Sequence, residues 1–180
     1  AGDGPLYEHL GRAILWTDAS DWIDGLTLPE PEPGTARILL AGSLPPDDRL
    51  HRAAETAGGS IVAEALPLGS LRCGPELELG TEPASTALAA HLRAASRAPR
   101  AFFDRPAWVV ERARAARAAG VVVWLTREDE ALAWSAPAIE RALAAAGLPS
   151  LLLVARRWQA DDDTAERVAA FVARCSNASA

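Results

Sequence analysis

The sequence predicts an α/β fold: a four-stranded parallel sheet of order 2-1-3-4, with helices on both faces in a three-layer sandwich. Three observations predict it. Four short apolar runs recur along the chain: "RILLAGS" (37–43), "SIVAEAL" (60–66), "VVVWLT" (121–126) and "PSLLLVA" (149–155). Continuous apolar runs of that length suit strands buried on both faces. Ala-, Arg- and Glu-rich stretches separate the runs, and strands alternating with helices imply right-handed parallel crossovers. Gly or Pro marks the junctions between the two kinds of segment.

Each element follows in order. "PLYEHLGRAILW" (5–16) and "DASDWIDGL" (18–26) read as short amphipathic helices, the second capped by Asp18 or Ser20. They form an N-terminal helical appendage over residues 1–28. "TLPEPEPGTA" then carries three Pro and one Gly, so residues 29–36 read as a Pro-rich linker. The α/β domain runs over residues 37–177. After the first strand, "PPDDRLHRAAETAGG" reads as a helix with Pro at its start and Gly58 and Gly59 at its end. The second strand leads into a Gly- and Pro-rich loop, "LPLGSLRCGPELELGTE", then the Ala-rich helix "PASTALAAHLRAAS". "RPAWVVERARAARAAG" is a further helix, stopped by Gly120. The third strand is the most β-branched run in the chain. "APAIERALAAAG" is a helix closed by Gly147. The fourth strand precedes "DDDTAERVAAFVARC", a helix with three Asp at the positive end of its dipole.

Composition narrows the function classes. Net charge is −6 with a pI of about 5.1, which argues against nucleic acid as a partner. All 18 basic residues are Arg. Cys73 and Cys175 are too far apart for metal-ligand spacing and make no disulfide framework, so two separate thiols are expected. No apolar run approaches the length of a membrane-crossing helix, and the start shows no secretory pattern. A cytoplasmic location is the expectation. The chain has no Met, so its beginning reads as processed or as internal to a longer protein.

The order 2-1-3-4 puts the topological switch between strands 1 and 3. The ligand crevice is then built from the loops after them, "GSLPPDD" and "TREDEALAWSAP". Gly42 and Ser43 can present backbone N–H groups to an anion at a helix start, or form a plain strand-to-helix turn; the plain turn is the simpler reading. Neither a G-x-G-x-x-G nor a Walker A motif is present. A phospho-receiver needs an Asp at the end of the third strand, where Thr126 stands. Glu128, Asp129 and Glu130 read as a solvated acidic surface, since acid–base work needs burial to split carboxyl pKa values. His9, His51 and His91 are isolated on predicted helices and read as surface or boundary residues. Cys73 has no base near it in sequence and reads as inert. Trp108 fits a core-facing helix. Trp124 and Trp134 flank the crevice, and Trp134 is either a wall for a flat ligand or a seal at an interface.

In the order and spacing of its pieces the chain resembles the 2-hydroxyacyl-CoA dehydratases and the related ATP-dependent benzoyl-CoA reductases. The pieces are "RILLAGS" after a Pro-rich lead, "GGSIVAEALPLGSLR", "RPAWVVER", "GVVVWLT", "IERALAAAGLPSLLL" and "ERVAAF". The likeness runs from about Arg37 to Phe171 and covers the C-terminal half of such subunits. It implies a flavodoxin-like domain and a paired assembly. It also implies a [4Fe–4S] cluster held by Cys in each subunit, and an ATP-hydrolysing activator that supplies the electron for a ketyl radical. The sequence departs from that pattern at the ligands. The family Cys in the third strand-to-helix loop aligns with Ser135, ahead of Ala136 and Pro137, and a second Cys position falls near Pro99. A Ser hydroxyl is a poor ligand for cluster iron. The junction therefore reads as a cluster site that has lost its ligand, with Trp134 filling space. No metal and no cofactor are expected in this chain, and a cluster is expected on a partner.

The resemblance implies ligand-side positions at Gly42, Ser43, Arg72, Arg105, Trp134 and Ser135, with the two arginines favouring an anion such as a CoA phosphate. It implies a non-cluster subunit or domain of a dehydratase-like complex, contributing acyl-CoA binding or a subunit interface. Its partner is then a homologous cluster-bearing subunit or a second copy of the chain. Two other readings stand beside it: an active dehydratase or reductase whose ligands lie on another domain or chain, and a stand-alone α/β module that binds a ligand or protein.

Overall fold

Four strands, β1 (Ala36–Gly42), β2 (Gly59–Ala65), β3 (Gly120–Thr126) and β4 (Ser150–Arg156), form one parallel sheet of order β2-β1-β3-β4. The computed structural model describes residues 34–67, 80–97 and 101–179. The expected appendage, most of the linker, His9, the loop with Arg72 and Cys73, and the position near Pro99 lie outside them. Between and after the strands run α1 (Arg49–Thr56), α2 (Ala84–Ala95), α3 (Arg105–Ala115), α4 (Glu130–Ala133), α5 (Ala136–Ala145) and α6 (Thr164–Ser179).

The strands read as unbroken apolar runs because the sheet has a core on each face. Along β1, Ile38 and Leu40 enter one core with Val122, Trp124, Leu153 and the α6 residues Val168, Phe171 and Val172. Leu39 and Ala41 enter the other, with Val121, Val123 and Leu125 of β3, Val109 of α3, and Ile139 and Leu143 of α5. Helices α1 and α6 cover the first face, α3 and α5 the second. Strand side chains alternate between faces, so every second residue serves each core. Fully burying one such Leu or Val contributes about 1.5–3 kcal/mol. Every residue of β3 is buried, as a central strand requires, whereas Val154 and Ala155 of the edge strand β4 are exposed.

Two glycines let α6 lie directly on the sheet. A Cβ on Gly59 would meet Val172 at 2.4 Å, and one on Gly120 would meet the Cys175 sulfur at 2.7 Å and Phe171 at 2.8 Å. Cys175 is thus buried at the amino end of β3, where burial pushes its thiol pKa up against the opposing pull of Arg174.

The sheet carries one irregularity. Ile38 pairs with Ile61 and Leu39 pairs with Ala63, so Val62 is an extra residue in β2. The bulge reverses the alternation beyond it. Ala63 and Ala65 turn to the second core, and Glu64 shares the face of Leu40, beneath α1.

Two expected boundaries move. Helix α1 begins at Arg49, not at Pro45: Asp48 takes the N-cap position and the backbone N–H of Arg49 donates to Asp47. The acidic loop after β3 contains a four-residue helix, α4, anchored by buried Leu132.

Candidate functional site

In a parallel sheet with antiparallel helices, the carboxyl ends of the strands and the amino ends of the helices meet on one edge. The loops after β1 and β3, the start of α3 and the Trp134–Ser135 junction all lie there.

The base of the switch point is a closed seam. Ser43 donates its backbone N–H to the Trp124 carbonyl at 2.8 Å, and its Oγ accepts from the Thr126 backbone N–H at 3.0 Å. Ser43 is 1% exposed. Gly42 makes the approach feasible. Its φ is +109°, and a Cβ there would sit 2.2 Å from the Trp124 carbonyl oxygen. Both polar groups of Ser43 are thus engaged with β3, which is the plain-turn reading of Gly42 and Ser43.

Ser135 stands at the N-cap position of α5, but its hydroxyl turns back. It donates to the Leu132 carbonyl at 2.6 Å, and its backbone N–H donates to the same oxygen at 2.9 Å. Trp134 beside it does not fill space under the loop; 87% of it is exposed. Leu132, not Trp134, supplies the buried contact of this junction. Leu44 after β1, Phe102 before α3 and Trp158 after β4 are exposed as well. By topology all four belong to the segments of this edge.

The same edge carries arginines set among acidic residues. Asp104 caps α3 by accepting from the Ala107 N–H, and Arg105 opens the helix. The Arg105 guanidinium lies 4.6 Å from the centroid of Phe103 and donates to the Arg97 carbonyl. Arg97 lies over Phe103 at 4.9 Å and over Trp108 at 5.7 Å. Phe103 and Trp108 meet edge to face at 5.6 Å, with Trp108 packed on the second core. Burial, reinforced by the Arg97 charge, pulls the Arg105 pKa below its ordinary value. Across the edge, Arg156 pairs with Asp162 at 2.9 Å and with Asp163, and Arg49 reaches from α1 to the Gln159 carbonyl. Glu128 and Glu130 are exposed.

One pair was hidden from the sequence. His51 Nε2 and Glu64 Oε1 are 2.9 Å apart, with both side chains less than a tenth exposed. His51 is therefore not a surface residue. The bulge at Val62 aims Glu64 at it, and nothing in the residue pattern reveals a one-residue bulge. His51 Nδ1 and Trp124 Nε1 are buried without hydrogen-bond partners among the described residues. His91 is half-buried on α2.

A family model described as 2-hydroxyglutaryl-CoA dehydratase, D-component, matches residues 23–173. The chain belongs to this family. The match takes in all four strands and α6 as far as Ala173. No curated protein matches the chain. The resemblance puts a cluster ligand at Ser135, and the residues found there do not fit an iron–sulfur cluster. Ser135 offers a hydroxyl already directed at a carbonyl, and Cys175 lies on the sheet-facing side of α6 at the opposite end of the sheet. Among the described residues, no group of three or more His, Cys, Asp or Glu is placed to hold a metal ion. None of the helices among them is long and apolar enough to cross a membrane.

Proposed function

We propose that this chain is a non-cluster component of a 2-hydroxyacyl-CoA dehydratase-like complex, with the [4Fe–4S] cluster on a homologous partner chain. The observation that carries the reading is the Trp134–Ser135 junction. A hydroxyl stands where the resemblance to the family implies a thiolate, and an indole beside it is open to solvent. Trp134, Phe102, Leu44 and Trp158 form the apolar part of the surface that meets the partner. Arg105 and Arg97 supply the positive flank for the phosphates of an acyl-CoA. Gly42 and Ser43 form the floor beneath it, and Ser135 holds the loop that presents Trp134. The family match and the Arg97–Arg105 pair support the acyl-CoA part. The reduction itself belongs to the partner's cluster.

Anaerobic reconstitution of the full chain with iron and sulfide tests the first part. The expected product is colourless after desalting. A stoichiometric charge-transfer band that survives desalting overturns the reading. Calorimetric titration with a 2-hydroxyacyl-CoA, alone and with a cluster-bearing subunit, tests the second. Trp134→Ala is expected to weaken association with that subunit at least tenfold. Unchanged association removes Trp134 from the interface.

A further inference from the structure

The outer side of the α3–α5 layer holds a shallow groove of about 720 Å³, away from the seam and independent of the function proposed above. Its apolar walls are Val110 and alanines, among them Ala107 and Ala115 on α3 and Ala142 and Ala145 on α5. Two charges break the apolar lining, Glu111 and Arg114, both on α3. They are exposed and three residues apart. Neither side chain has an ion-pair or hydrogen-bond partner among the described residues.

We propose that this groove is the interface between two copies of the chain, related by a two-fold axis that passes between Glu111 and Arg114. Residues three and four apart share one stripe of a helix, so Ala107, Glu111 and Arg114 follow one another along the groove. Rotating α3 by half a turn about an axis between the two charges reverses the stripe. Glu111 then faces Arg114 of the second copy, and Arg114 faces its Glu111. The pair is made twice, as the self-complementary patch of a two-fold dimer requires. The alanines let the two α3 helices approach closely, since interaxial distance is set by the side chains at the contact. A second copy is the one partner for which the charge pattern is complementary by construction.

Charge reversal tests the geometry on the full chain by sedimentation and light scattering over a range of concentration and salt. A concentration-dependent dimer is expected. Glu111→Arg and Arg114→Glu each turn two attractive pairs into two repulsive ones, so each raises the dimer Kd by about tenfold or more. Mixing the two single variants is expected to restore association as a mixed dimer, because each reversed site then meets its opposite. The double variant E111R/R114E is expected to dimerise like the parent. Circular dichroism confirms that these exposed substitutions leave the fold intact. A monomer at all concentrations, a dimer indifferent to the reversals, or failure of the mixture to associate overturns the proposal. So does association lost only with Leu88→Asp and Leu92→Asp, which assigns the contact to the exposed leucines of α2.

Discussion

Replacing Gly42 by Ala places a methyl carbon 2.2 Å from the Trp124 carbonyl oxygen, 3.0 Å from its carbon and 3.1 Å from Leu125 Cδ2. Two of those three atoms are backbone of the central strand, so no side-chain rotation relieves the clash. The φ of +109° adds a conformational cost of about 1–3 kcal/mol for a residue with a Cβ. Overpacking adds about 1–3 kcal/mol. Parting the strands also weakens the Ser43 N–H bond to Trp124, worth about 1 kcal/mol. The loss is therefore about 3–7 kcal/mol, a large share of the ~5–15 kcal/mol that holds an ordinary domain folded. Gly58→Ala is the control. Gly58 has φ +81° but nothing within 4 Å of a Cβ, so only the backbone term of about 1–2 kcal/mol applies. Urea unfolding of both variants, followed by tryptophan fluorescence and circular dichroism, reads the difference. If Gly42→Ala falls within about 1 kcal/mol of Gly58→Ala, the seam is not the tight contact described.

Ser43→Ala removes the acceptor of the buried Thr126 N–H and is expected to cost about 1–3 kcal/mol in urea unfolding, against a negligible effect for Ser43→Thr if the hydroxyl keeps its place. Glu64→Ala and His51→Ala each destabilise the domain, and the double variant loses less than their sum by about 1 kcal/mol; additive losses deny the coupling. Burial opposes ionisation of Asp162, but hydrogen bonds from Thr164 and Arg156 outweigh it and hold the carboxyl well below the usual carboxylate range. The unfolded chain therefore takes up that proton first as pH falls. The stabilisation is complete above the unfolded value of about 3.9 and is lost as pH drops through the folded one. Asp162→Asn is expected to flatten the acid limb of a stability–pH profile, and an unchanged limb refutes the assignment.

The sheet order was legible because burial on both faces leaves a signature in composition. β1 over Ile38–Ala41 and β3 over Val121–Leu125 are apolar at every position, as a surface strand is not. The crossover rule then leaves few arrangements. The same property hid the bulge at Val62. Where both faces are apolar, an extra residue breaks no alternation, so neither the orientation of Glu64 nor the burial of His51 could be read. Pro45 and Pro46 carry a helix-start signal, yet Asp47 and Asp48 offer carboxylates to the following N–H and guanidinium groups, and the helix starts there. Trp134 fails differently. An indole is as apolar in a core as on a docking face, and only the position of Leu132 decides which of the two turns inward. Ser135 was found by its place after the third strand, but its bond to Leu132 depends on α4, which four residues of loop sequence did not announce.

If this edge takes a ligand as proposed, the Ser43–Thr126 seam changes how that ligand is recognised. A switch point that stays open grips its ligand between two loops of one chain. With the loops bonded together, a ligand here rests on a floor and touches one wall, and another molecule must supply the opposite wall. Recognition then becomes a three-body event. Whatever factor the second wall adds to ligand affinity, the ligand returns to the association of the two walls, since the coupling free energy belongs to both equilibria. Occupancy and assembly would rise and fall together, and neither chain alone would report the strength of the site.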